Sequence, residues 1–134
     1  MITAGAVIDT NILVSAMLSI KSKPSQVVRL VLDEQLRLYY SEAILAEYQV
    51  VLARPHFDFN LDSVDALLES LIGLGVLIIP QTTDIAFIDE SDRKFYDVAV
   101  TCDATLITGN RRHYPDAPFV RTPAEFLNDC KNRL

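Results

Sequence analysis

Ala4-Gly5-Ala6-Val7-Ile8-Asp9-Thr10-Asn11 is the stretch that decides the fold. Five small or aliphatic residues run without alternation into a carboxylate. An unalternated apolar run suits a strand buried on both faces, the usual state of a strand inside a parallel sheet. Asp9 ends the run and has two uses open to it. It can cap the helix that follows over residues 12–18, since Asp is a favoured N-cap. It can also face a crevice at the end of the strand, and the two uses are compatible.

Reading outward, residues 20–23 are a polar break, and Pro24 suits the first turn of a helix carrying Val27, Val28, Val31 and Leu32. Residues 36–40 form a strand. Ser41 caps a helix to about Ala53, and Pro55 stops it. Residues 61–74 form a helix with Leu61, Val64, Leu67, Leu68, Leu71 and Ile72 on one stripe. Strands follow at 76–79, 105–108 and 119–121, with a helix at 92–103 and a last one opening at Thr122-Pro123. Strands alternating with helices imply an α/β/α arrangement, with helices on both faces of a parallel sheet of about five strands. The 134 residues are one domain's worth, 1–134. Such sheets bind ligands beyond the carboxyl ends of the strands, where strand order reverses. Asp9 and Asn110 both follow strands.

Half the residues are hydrophobic. No apolar run reaches the roughly 18 residues needed to cross a bilayer, since residues 71–80 are broken by Gly73 and Gly75 and end at Pro80. No basic segment precedes an apolar one at the start, so a cytoplasmic protein is expected. Cys102 and Cys130 are too few for a disulfide framework. The net charge of −6 argues against nucleic acid, because phosphate binding is mainly a basic-surface effect. A carboxylate metal site would itself make the charge negative, and Arg111, Arg112 and His113 are clustered.

Two more acids can be placed by helical geometry. Ile44, Leu45, Tyr48, Val51 and Leu52 form a buried stripe, with Glu47 just outside its edge and Glu42 toward solvent. Phe95, Val98, Ala99 and Cys102 set an inward direction that Asp92 nearly shares and Asp97 opposes. The plain alternatives are a flanking surface acid for Glu47 and a helix-start acid for Asp92. Asp89 as the cap would leave Asp92 free. Three carboxylates from separate segments make a hard oxygen site suited to magnesium or manganese. Zinc is disfavoured, because His56 and His113 stand apart from any second His or Cys. Gly109 stands alone, so there is no phosphate-cradling glycine loop, and no serine-nucleophile elbow is present.

Val7-Ile-Asp9-Thr-Asn11, Ser41-Glu-Ala-Ile-Leu-Ala-Glu47-Tyr, Asp89-Glu-Ser-Asp92 with Phe95, and Leu106-Ile-Thr108-Gly-Asn110 with His113-Tyr together resemble the PIN-domain family. The branch they are most similar to is the VapC-like toxins of toxin–antitoxin systems. The resemblance spans essentially the whole chain and rests on the order and spacing of the motifs. It implies cleavage of single-stranded RNA with Mg2+ or Mn2+ held by Asp9, Glu47 and Asp92. It also implies a role for Thr108 in orienting an acid or water, and a small antitoxin protein as partner. Many members carry Asp where this chain has Asn110, which weakens the case for a second ion. In the mechanism this implies, the ion activates water for in-line attack at phosphorus. Asn11, Asn110, Arg111 and Arg112 then contact the substrate, Arg being able to grip phosphate bidentately. A solvated loop is the alternative for the two arginines, and a simple turn is the alternative for Asn110. Self-association through the apolar faces at 27–32 and 61–74 is a further expectation. One rival is a phosphatase using Asp9 as nucleophile, which usually wants an acid where Asn11 stands. Another is a catalytically weak PIN-fold module that binds nucleic acid or protein.

Overall fold

The computed structural model describes residues 4–132. Its five strands are β1 (Gly5–Ile8), β2 (Arg37–Tyr40), β3 (Val76–Leu77), β4 (Thr105–Ile107) and β5 (Val120–Arg121). They form one parallel sheet in the order β3-β2-β1-β4-β5. Six helices cover it: α1 (Thr10–Leu18), α2 (Lys23–Leu32), α3 (Glu42–Leu52), α4 (Leu61–Leu74), α5 (Arg93–Cys102) and α6 (Pro123–Asn132). The α/β class and the five strands agree with the alternation in the sequence.

β1 is central because its side chains tolerate no water on either face: Ala6, Val7 and Ile8 are fully buried. It pairs with β2 through Ala6↔Leu38 and with β4 through Ile8↔Ile107. Gly5 is required where the Tyr39 ring lies across the strand, since a methyl there would collide with the ring. The chain runs from β1 outward to β3, then returns to the other side of β1 for β4 and β5. The reversal of strand order therefore falls between β1 and β4, and the ends of these two strands open the crevice.

Local signals set the helix ends. Ser22, Ser41 and Asn60 each accept from the backbone N–H three residues on, capping α2, α3 and α4. Three expectations need correction. The strand expected over 76–79 pairs for only two residues. Beyond the Ile78 N–H bond to the Tyr40 carbonyl (2.7 Å), β2 has turned into α3 and offers no partner, and Ile79 is 92% exposed. The helix expected from residue 92 begins with a 3-10 turn, Glu90–Asp92, before α5. The stripe on α4 is narrower than its sequence suggests: Val64, Leu68 and Leu71 are buried, whereas Leu61 and Ile72 are exposed. Val27, Val28 and Val31 of α2 are also core, because α2 and α4 pack on each other. Most of the apolar surface expected to seek a partner is thus consumed within the fold.

Candidate active site

Asp9 leaves β1 with its N–H bonded to the Ile107 carbonyl (3.0 Å). Its backbone starts α1, yet its side chain makes no capping bond. Oδ2 instead accepts from Thr108 Oγ1 (2.9 Å) and from the Tyr114 hydroxyl (2.8 Å). The side chain thus points toward the ends of β1 and β4. The register Ile8↔Ile107 makes Asp9 and Thr108 neighbours at adjacent strand ends. Thr108 is fully buried and also accepts from the Asn110 N–H (3.0 Å), so its hydroxyl has a single orientation to offer Asp9.

Glu47 arrives through its neighbour. Tyr48, buried on α3, donates its hydroxyl to the Ile8 carbonyl and pins the helix to the end of β1. Glu47 then stands at the crevice rim with its side chain 25% exposed. Thr10 donates to Glu47 Oε2, and Lys94 Nζ lies 2.8 Å from Oε1. Asp92 comes from the 3-10 turn before α5, which Asp89 caps by accepting from the Ser91 N–H (2.9 Å). Asp89 thereby leaves the Asp92 carboxylate free. Asp92 Oδ2 is buried and has no hydrogen-bond partner among the described residues, while His113 Nδ1 stands 3.7 Å away.

The carboxylates strain one another electrostatically. Burial, followed by the nearby charges of Asp9 and Asp89, pushes Asp92 up to about 6, against the opposing pull of His113. Burial also raises Asp9, although hydrogen bonds from Tyr114 and Thr108 work the other way. Burial and the adjacent Asp9 push the Tyr114 hydroxyl well above its ordinary value, so it remains a donor. An orphaned buried carboxylate oxygen among three acids is the environment that a hard divalent cation relieves. The donor set therefore fits such an ion. As the side chains stand, no group of three or more His, Cys, Asp or Glu among the described residues is gathered closely enough to hold one, and Lys94 supplies the positive charge at Glu47.

The remaining candidates divide. Asn11 Oδ1 accepts from the Gly109 N–H (3.1 Å), bracing the two strand-end loops. Asn110 is exposed and borders a hollow of about 420 Å³ with Asn11, Ser15 and Lys23; no acid lines that hollow. Arg111 turns to Glu125 (2.9 Å) and Asp116 (3.6 Å). Arg112 is exposed and makes no ion pair among the described residues.

Asp97 corrects the helical-wheel reading. It does lie away from Asp92, but it is buried, because residues 81–89 fold over that face. Its Oδ1 accepts from Thr83 N–H (3.1 Å) and Oγ1 (2.7 Å). Sequence reasoning assigned no role to Tyr114, Lys94 or Thr10. Tyr114 carried a faint signal as an aromatic beside the basic cluster. Lys94 carried none, since its ammonium reaches the site along a flexible stem that periodicity does not track. A hollow of about 610 Å³ lies apart from the acid crevice; it is lined by Leu77, Ile78, Ile79 and Pro80 and has Lys94 in its wall.

A family model described as a PIN domain matches residues 5–112. The uncharacterized protein MJ1680 of Methanocaldococcus jannaschii is 32% identical over 108 residues, covering 78% of this chain and 70% of that protein. Among solved structures, VapBC2 from Rickettsia felis, bound to a DNA fragment from its promoter, matches with a TM-score of 0.56. That match covers 88% of this chain and 96% of the other at 16% identity, a likeness of fold. The sheet order, the acids at the strand-order reversal and these matches agree: the chain belongs to the PIN-domain family.

Proposed function

We propose that this PIN domain hydrolyses phosphodiester bonds of single-stranded RNA with the help of a divalent ion, as the toxin half of a toxin–antitoxin pair in the cytoplasm. The observation that carries the reading is Asp92 Oδ2, buried and unpartnered among the described residues and within electrostatic reach of Asp9 and Glu47. Magnesium or manganese, once bound, supplies charge neutralisation at phosphorus and a more acidic water.

The chain's own residues do the rest. Asp9 at the end of β1 and Asp92 just before α5 would hold the ion, and Glu47 on α3 would complete the set. Thr108 and Tyr114 fix one Asp9 oxygen, which would hold the carboxylate in one orientation toward an ion. Thr10 fixes Glu47 in the same way. Arg112, exposed and without an ion pair among the described residues, takes a backbone phosphate, with Asn11 and Asn110 beside the path of the strand. Arg111, held by Glu125, shapes the loop that presents Arg112. The toxin assignment draws on the fold shared with VapBC2, and an antitoxin protein is the partner it implies.

A second reading, a catalytically weak binding module, is favoured by one observation: Glu47 is already neutralised by Lys94. One experiment separates the two. Purified protein should cut single-stranded RNA with magnesium or manganese and stop in EDTA, and Asp9→Asn should abolish cutting. Equal cleavage in EDTA refutes the metal mechanism. RNA binding with no cleavage at saturating manganese supports the second reading.

A further inference from the structure

We propose that Lys94 is the resident counter-ion of the acid cluster and competes with the divalent ion for Glu47. The inference rests on the metal-site reading above and adds to it a residue that tunes occupancy. Both Glu47 oxygens are engaged: Lys94 Nζ bonds Oε1 at 2.8 Å, and the Thr10 hydroxyl bonds Oε2. The ammonium is held on two further sides, by the Ser91 carbonyl and by the Phe95 ring, whose centroid is 5.5 Å away. Among the described residues Lys94 is the one cation hydrogen-bonded to an acid of the cluster, since His113 stops 3.7 Å from Asp92.

The position follows from the fold. Lys94 lies in the first turn of α5, two residues after Asp92, so the element that delivers one acid also delivers the charge that quiets another. An ammonium and a divalent ion seek the same carboxylate oxygen. Two cations sharing a partner at hydrogen-bonding range repel, so binding one weakens the other. The displaced ammonium has somewhere to go: Lys94 borders the 610 Å³ hollow, whose walls also carry Glu42, Glu90 and Asp97. A role limited to aiming Glu47 at the ion makes the opposite forecast, because loss of Lys94 would then weaken metal binding.

Calorimetric titration of manganese into the intact protein without RNA reads the sign directly. Lys94→Met should bind manganese about tenfold more tightly than wild type, one unit charge having been removed from a partly solvated site. Lys94→Arg should bind more weakly than wild type, because a guanidinium grips a carboxylate through two N–H groups. Glu47→Gln, the control, should bind weakly. Should Lys94→Met fail to fold, the arginine variant still decides: binding equal to or tighter than wild type overturns the proposal. So does equal or weaker binding by Lys94→Met while Glu47→Gln is impaired, and the metal-site reading then survives. Unaltered binding by Glu47→Gln removes Glu47 from the ligand set, and both readings of that residue fail together.

Discussion

Replacing Asp92 by Asn should make the metal-free protein more stable while destroying its activity. The carboxylate lies within electrostatic reach of Asp9 with one oxygen buried and unpartnered among the described residues, and its pKa is pushed from 3.8 to about 6, by burial first and the neighbouring acids second. Preferring the neutral form to that degree corresponds to about 3 kcal/mol at 1.36 kcal/mol per tenfold. The side chain is only partly buried, and solvent screening reduces this to about 1 kcal/mol. At pH 7 the wild type is ionised at Asp92 in both folded and unfolded states, and the folded state bears the penalty. As pH falls through about 6, folded Asp92 binds its proton before unfolded Asp92 does, so wild-type stability recovers. Asn bears no such penalty at any pH. The gap between Asp92→Asn and wild type should therefore be full above about pH 6 and shrink toward pH 4. In EDTA at pH 7, about 1 kcal/mol raises the melting temperature of a chain this size by roughly 4 °C. Thermal melts at pH 7.5 and 4.5, with RNA cleavage measured alongside, test this. A variant less stable than wild type at pH 7.5, or a gap unchanged between the two pH values, refutes the reasoning.

Tyr114→Phe removes a hydroxyl that bonds Asp9 at 2.8 Å. A bond to a charged group contributes about 1.5–3 kcal/mol, so cleavage should fall at least tenfold with an unchanged circular dichroism spectrum; wild-type rates would show that Thr108 alone orients Asp9. Asp97→Ala strands two donors of Thr83, and a urea titration should show about 1–3 kcal/mol of lost stability, whereas a shift below 0.5 kcal/mol would mean the 81–89 segment holds without it. Arg112→Ala should weaken RNA binding and lower the slope of log affinity against log salt by about 0.7. Arg111→Ala, already paired with Glu125, should leave that slope close to wild type, and the reverse pattern would exchange their roles.

Much of the fold was legible in the sequence because its signals are local. The unalternated run before Asp9, the serine caps and the prolines act within a few residues, and the strands and helices fall close to where those signals put them. Asp9 and Thr108 could be placed at strand ends by the same logic. Their direct bond needed the β1–β4 register, which no local pattern encodes. Helical periodicity placed Glu47 at a boundary, and the structure agrees. For Asp97 the same periodicity failed, because a wheel shows direction along one helix and not what later folds over it; residues 81–89 bury that face. The sequence by itself determined a parallel α/β sheet, since that follows from residue kinds and short-range spacing. Only the tertiary structure decided that Tyr114 and Thr108 share one oxygen of Asp9, that Asp92 keeps an oxygen unpartnered, and that Lys94 reaches Glu47 across 47 residues of chain. Those contacts depend on how separate elements dock, and docking is set by the packing of the whole core.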